Sequence, residues 1–136
     1  MTRSESREQA FILVFERSFH ETPFPELLEN ARLAREYTGG DFAEELAEGT
    51  LSHLPELDTA ISSHLTPGWK IGRLGRVARS ILRVAVFEMF FREDIPDSVS
   101  INEAVELAKK YGGDDDSAFV NGVLGGIARA QSTVEG

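Results

Sequence analysis

The stretch RLGRVARSILRVAVFEMFFR, residues 73–92, has the clearest helical periodicity of the chain. Apolar residues recur in it at the three- and four-residue spacing of one helix face: Val77, Ile81, Leu82, Ala85 and Met89. Neither this stretch nor the rest of the chain has the sustained alternation of apolar and polar residues that is typical of strands. The stretch therefore predicts a long amphipathic helix with one buried side.

The same helical periodicity continues along nearly the whole chain. Helices are predicted at residues 4–20, 25–37, 41–53, 55–65, 73–92, 100–111 and 116–131. Two capping boxes are predicted by spacing, Ser6 with Gln9 in the first helix and Ser100 with Glu103 in the sixth. The connections are short, and there is no internal repeat or long linker. We therefore predict an all-α fold, one compact bundle of about seven helices over residues 1–136.

The last predicted helix contains three glycines, Gly122, Gly125 and Gly126. Glycine inside a helix costs about 1 kcal/mol relative to alanine. We expect the close approach of a neighbouring helix to explain them.

Composition limits the class of protein. The chain has 136 residues, 41% of them hydrophobic and 27% charged, which fits one globular domain. It has no cysteine, so disulfides and thiolate zinc sites are excluded. No apolar run has the length of a membrane span, and no secretory signal precedes the first helix. We expect a cytoplasmic protein without membrane contact.

Charge is unevenly distributed along the chain. The net charge is −9, but residues 69–111 carry 8 basic and 6 acidic residues, against 5 and 13 in residues 1–68. Phosphates are bound by Lys and Arg. A nucleic-acid site in this acidic protein must therefore be a local patch.

No motif indicates an enzyme. The histidines His20, His53 and His64 lack metal-ligand spacing, and there is no phosphate-binding or dinucleotide-binding glycine loop. The acidic run at residues 114–116 lacks the EF-hand pattern, and we interpret it as a cap at the positive end of a helix. We predict no catalytic residue, no metal and no cofactor.

The fifth helix carries a stripe of arginines. At about 100° per residue, Arg76, Arg79 and Arg83 fall within an arc of roughly 60°, with Arg73 at its edge. Glu88 is the only acid between residues 73 and 92, so pairing within the helix does not neutralise the stripe. The stripe is either a solvated face with local ion pairs or a surface for an acidic partner or RNA.

Two further features have two interpretations each. Arg3 and Arg7 are four residues apart at the first helix N-terminus, which suits phosphate binding, but taken alone such a segment is more often a polar capped helix start. Phe119 is either a core residue or an exposed ring that stacks on an unpaired base.

Several blocks of sequence, in order, resemble a known family. They are REQA at 7–10, ILR at 81–83, DIP at 94–96, INEAVELAKKYG at 101–112 and FVNGVL at 119–124. Together they resemble the NusB family of bacterial transcription antitermination factors over nearly the full length, although residues 22–65 match only in helical character.

The resemblance implies a fold of two packed helical subdomains and no catalysis. It implies binding of single-stranded boxA RNA in nascent, chiefly ribosomal transcripts. It also implies a complex with NusE, a small-subunit ribosomal protein, which joins other factors on RNA polymerase.

Site residues follow from the matching positions. In the RNA surface, Phe119 would stack on a base and Asp115 would accept a hydrogen bond from a base edge. The phosphate-binding residues would be Arg3 and Arg7. The resemblance places the partner surface at these residues: Phe15, Arg76, Arg79 and Arg83.

One departure from the family pattern affects the expected affinity. Ser4, Glu5 and Ser6 interrupt the run of arginines that the family often has at its start. Because fewer phosphates are contacted, we expect weak RNA binding by the chain alone and strong dependence on NusE.

Two other classes of protein are consistent with parts of the sequence. The first is a protein-interaction module, or a homodimer, with little RNA affinity of its own, which the acidic charge favours. The second is an RNA methyltransferase, because similar helical domains precede such catalytic halves. This chain has no glycine-rich cofactor loop after a strand, which argues against the second class.

Overall fold

A computed structural model describes residues 2–35, 37 and 39–135 of the chain. The described residues contain seven α-helices and no strand: α1 Arg3–Arg17, α2 Phe24–Arg35, α3 Gly40–Ser52, α4 Leu54–Ser62, α5 Arg76–Phe91, α6 Asp97–Tyr111 and α7 Asp116–Glu135. The all-α prediction is confirmed. Residue 36, which the predicted second helix includes, lies outside the described residues. No described helix is long and apolar enough to cross a membrane.

Helix α5 is the centre of the bundle. It packs against α1, α3, α4, α6 and α7, while α1 also packs against α2 and α3, and α6 against α7. The helices before and after residue 53 therefore form two groups that meet along α5. The side chains of Ile81, Leu82 and Val86 are fully buried there, as the apolar face of this helix predicts.

The start of α5 differs from the prediction. A 3-10 turn, Ile71–Arg73, comes first, and α5 begins only at Arg76. Gly75 lies between them with an extended ψ of 149°, which interrupts helical hydrogen bonding. Arg73 is therefore not part of the arginine stripe of α5.

Both predicted capping boxes are wrong. The box of α1 is formed by Thr2, whose hydroxyl accepts from the Glu5 N–H at 3.1 Å, with the Glu5 carboxylate accepting from the Thr2 N–H. Ser6 is buried instead. Helix α6 begins at Asp97, so Ser100 lies one turn inside it. The chain contains several Ser or Thr residues three positions before a Glu or Gln, and only the backbone conformation decides which pair forms a cap.

A buried polar network joins α1, α5 and α6. The Nε of Arg7 donates to both carboxylate oxygens of Glu88, at 3.1 and 2.8 Å. The hydroxyl of Ser100 donates to Oε1 of the same carboxylate at 2.6 Å. All three residues are at most 5% exposed. Such a buried ion pair is tolerated because its charged groups are hydrogen-bonded.

The glycines of α7 fit the expectation only in part. A Cβ at Gly126 would lie 2.7 Å from the His64 ring, so a neighbouring residue does approach closely there. At Gly122 nothing lies within 4 Å of such a Cβ, and at Gly125 only Nη1 of Arg129 does, at 3.4 Å. Close packing therefore explains Gly126 alone.

Candidate functional site

The first cavity of interest lies where α5 and α7 begin. Its volume is about 570 Å³. Among its lining residues are Trp69, Arg73, Asp115, Asp116 and Phe119. The structure thus brings together Asp115 and Phe119, the two sequence-predicted residues of the C-terminal region.

Asp115 and Phe119 are arranged by the first turn of α7. The Phe119 N–H donates to the Asp115 carbonyl at 3.1 Å, and residues four apart project from one side of a helix. Phe119 is half-buried: it packs against the core and also lines the cavity. Phe119 therefore combines the two roles that the sequence offered as alternatives, a core residue and an accessible ring.

The neighbouring carboxylates of the acidic run have different roles. Asp116 Oδ2 accepts from the Gly113 N–H at 2.9 Å, so this side chain closes the loop before α7. Asp115 is exposed, and its carboxylate has no hydrogen-bond partner or ion pair within the described residues. Of the two carboxylates that line the cavity, Asp115 is therefore the one available to accept from a ligand.

A second cavity, of about 440 Å³, adjoins the first. Phe15, Phe19, Arg76 and Tyr111 are among its lining residues. The two cavities share three lining residues, which makes them neighbours across the N-terminus of α5: Gly75, Ala78 and Asp116. Of the predicted partner residues, Phe15 and Arg76 line this second cavity.

Aromatic rings continue from the core to the surface beside this cavity. The Phe15 ring lies 6.0 Å from that of Phe11 and 5.1 Å from that of Phe19. Phe19 is 49% exposed, and the Arg76 guanidinium lies 4.4 Å above its ring. An exposed aromatic side chain beside an arginine is a combination enriched at protein interfaces.

The arginines of α5 do not form one uniform surface. Arg83 donates to Asp58 of α4 through two hydrogen bonds, Nε to Oδ1 at 2.8 Å and Nη2 to Oδ2 at 2.7 Å. The acid that pairs with it comes from another helix, which spacing within α5 does not reveal. Arg83 is thus held internally, whereas Arg76 is exposed on the surface.

Arg79 lies between these two arginines. Burial, followed by the charges of Arg83 and Arg76, lowers the pKa of Arg79 below its ordinary value. Its buried Nε has no hydrogen-bond partner. The nearby Asp58 carboxylate raises this pKa only in part.

A carboxylate also ties α1 to α6 beside the second cavity. Glu8 accepts from the Tyr111 hydroxyl at 2.6 Å and pairs with Lys110 at 2.6 Å. Burial raises the pKa of Glu8, but the hydrogen bonds from Lys110 and Tyr111 outweigh it and hold the pKa below 4.5.

The two N-terminal arginines have different environments. Arg3 is exposed, and its guanidinium lies 4.5 Å above the ring of Phe42. Arg7, which we expected on the RNA surface, is buried and engaged by Glu88, so its guanidinium is not accessible to a phosphate in this structure. Of this pair, only Arg3 has an accessible cation.

Trp69 is the lining residue that the sequence analysis missed. It is 52% exposed and follows the Pro67-Gly68 turn. A large aromatic residue directly after a Pro-Gly turn could have been recognised in the sequence as a candidate surface residue. Among the described residues, no group of three or more His, Asp or Glu side chains is arranged to hold a metal.

Comparison with known proteins gives one family. Residues 4–129 match the model of the NusB family. The transcription antitermination protein NusB of Geobacter sulfurreducens is 43% identical over 129 residues, which are 93% of each chain. NusB of Bacillus subtilis is 45% identical over 127 residues, covering 93% of this chain and 95% of that protein.

Solved structures agree with the sequence comparison. T. maritima NusB has a TM-score of 0.84 at 34% identity, covering 95% of this chain and 92% of that one. A crystal structure of antitermination factors NusB and NusE in complex with dsRNA has a TM-score of 0.83 at 29% identity, covering 96% and 99%.

Proposed function

The chain belongs to the NusB family, and we propose that it is a transcription antitermination factor that binds single-stranded boxA RNA of nascent ribosomal transcripts together with NusE. The observation that carries the proposal is the adjacency of the two cavities, which share Gly75, Ala78 and Asp116. RNA bound in one cavity and NusE bound in the other would meet along a common edge, so the binding of one would favour the binding of the other.

The RNA surface in this proposal consists of the first cavity and the N-terminus of α1. Phe119 offers ring surface to a base, and the unpaired Asp115 carboxylate accepts a hydrogen bond from a base edge. Arg3 supplies the phosphate contact. Arg7 supports this surface indirectly, because it anchors α1 to Glu88.

The surface for NusE consists of the second cavity and the arginines beside it. Phe19 and Arg76 form its exposed aromatic and cationic part, and the half-buried Phe15 also lines the cavity. A carboxylate of NusE near Arg79 would offset the lowered pKa of this guanidinium. The related structure that contains NusB, NusE and dsRNA supports both kinds of partner. Arg83 contributes by holding α4 against α5.

The factor proposed here catalyses no reaction and acts by assembly in the cytoplasm, where transcripts are made. It reaches RNA polymerase indirectly, through the other members of the complex. Weak RNA binding by the chain alone follows from Arg3 being the accessible cation of the N-terminal pair.

Self-association through the same aromatic face is a second candidate. The 49% exposure of Phe19 favours it, because a second copy would cover this ring. Light scattering over a concentration series would detect a dimer, which addition of NusE should dissociate. A chain that stays monomeric at every concentration, or a dimer that persists with NusE, excludes this face as the self-association site.

The test of the proposed function is a titration of labelled boxA RNA and a scrambled RNA, with and without NusE, over a series of salt concentrations. We expect specific binding that tightens sharply with NusE and is lost in Phe119→Ala. Leu33→Ala is the control, since Leu33 is an exposed apolar residue on α2 that lines neither cavity. No preference for boxA in either condition would reduce the chain to a protein-interaction module.

A further inference from the structure

The first cavity contains an indole that the proposed function does not use. Trp69 is 52% exposed, and its side chain makes no hydrogen bond or ring contact within the described residues. Indoles are amphipathic and usually find a partner for both the ring and the N–H. An uncovered indole in a cavity therefore indicates a flat ligand.

The position of Trp69 is set by its own turn. The Trp69 N–H donates to the Thr66 carbonyl at 2.9 Å across Pro67 and Gly68. Gly68 has a φ of +91°, a value that favours glycine and fits the third position of a type II turn. The ring is thus presented by a defined turn at the edge of the cavity.

Other groups around the cavity complement an RNA nucleotide. Trp69 and Phe119 both line it but do not pack on each other, so ring surface of each is open to a third group. Arg73 lines the same cavity and has no ion pair within the described residues. Aromatic ring surface, an unpaired carboxylate and an unpaired cation correspond to the three parts of a nucleotide: its base face, its amino edge and its phosphate.

We propose that Trp69 and Phe119 together hold one unpaired RNA base that bears an amino group, with Asp115 accepting from that group and Arg73 contacting the adjoining phosphate. This inference rests on the proposed function and adds to it a second stacking residue and a base preference. Uracil, which has no amino group, is the base that this cavity should hold least well.

The test uses the fact that Trp69 is the only tryptophan of the chain. Its fluorescence is followed while the chain with NusE is titrated with boxA RNA, and the same titration of Trp69→Phe is subtracted to remove any signal from NusE. We expect quenching with boxA RNA and much weaker quenching with oligouridine of equal length. Asp115→Ala should abolish the difference between the two RNAs.

Affinity measured by anisotropy of labelled RNA completes the test. Trp69→Leu should weaken binding of the complex to boxA RNA about five- to hundredfold, as for loss of one stacked base, and Trp69→Phe should retain most of the affinity. Leu33→Ala, the exposed control on α2, should leave this affinity unchanged. Binding of unchanged affinity in Trp69→Leu, without quenching in the unaltered protein, overturns this inference and leaves the proposed function standing. Failure of the unaltered complex to bind boxA RNA overturns both.

Discussion

Arg7 and Glu88 form a buried ion pair across 81 residues of sequence, with Nε 2.8 Å from one carboxylate oxygen and 3.1 Å from the other. Arg7→Met would leave the Glu88 carboxylate buried without its cation. Breaking such a pair costs about 3–5 kcal/mol, which urea unfolding followed by circular dichroism would measure. The exposed neighbour gives the control, because Arg3→Met should cost less than about 1 kcal/mol. Equal stability of the two variants would contradict the role assigned to Arg7.

The charge of Arg3 should be visible in the salt dependence of RNA binding. Each phosphate contact to a single strand contributes about 0.7 to the slope of log affinity against log salt. We expect Arg3→Ala to flatten this slope by about that amount for the complex with NusE. Arg32→Ala, an exposed arginine on α2 that lines neither cavity, should leave the slope unchanged. A slope that responds to both variants alike would mean that only net charge matters.

We expect some substitutions near α5 to weaken NusE binding and others to reduce the stability of the fold. Phe19→Ala and Arg76→Glu should each weaken NusE binding at least tenfold in calorimetry, because they alter the exposed aromatic surface. Arg83→Ala should instead reduce the free energy of unfolding by about 1 kcal/mol, since its bonds to Asp58 are internal. If Arg83→Ala removes NusE binding at unchanged stability, the α5 arginines act as one surface after all.

The contact of Glu8 with Lys110 and Tyr111 predicts a dependence of stability on pH. Since the pKa of Glu8 is lower in the folded chain than its usual 4.5, the contribution is present above that pH and is lost as the pH falls through the folded pKa. Glu8→Gln should therefore be less stable than the unaltered protein at pH 7, and the difference should shrink below pH 4.5. Thermal unfolding from pH 7 to pH 3 measures it; a difference that grows in acid would contradict the assigned sign.

Two glycines of the same helix should respond oppositely to alanine. Gly122→Ala meets nothing within 4 Å and should stabilise the protein by about 0.5–1 kcal/mol, the usual gain in a helix. Gly126→Ala would bring its Cβ to 2.7 Å from the His64 ring, whose Nδ1 is held 3.1 Å from the Ala60 carbonyl. Gly126→Ala should therefore destabilise the protein. Denaturant unfolding compares the two, and a stabilised Gly126→Ala would show that the ring moves freely.

The helices were predictable because their information is local. Backbone hydrogen bonds link residues four apart, and the spacing of the apolar residues between 77 and 89 predicts which side of α5 is buried. Asp115 and Phe119 were likewise predictable as a pair, since one helical turn separates them. Their neighbours in the cavity were not, because Trp69 and Arg73 reach it through a turn and a 3-10 segment outside any long periodic pattern.

The helical class, the apolar faces and the positions that resemble a known family could all be predicted from the sequence. The role of each charge depends instead on contacts between distant parts of the chain. Arg7 and Arg3 are chemically the same and four residues apart, yet one is buried against Glu88 and the other is exposed. The physical reason is that burying a charge requires a partner of opposite sign, and that partner comes from residues far away in the chain.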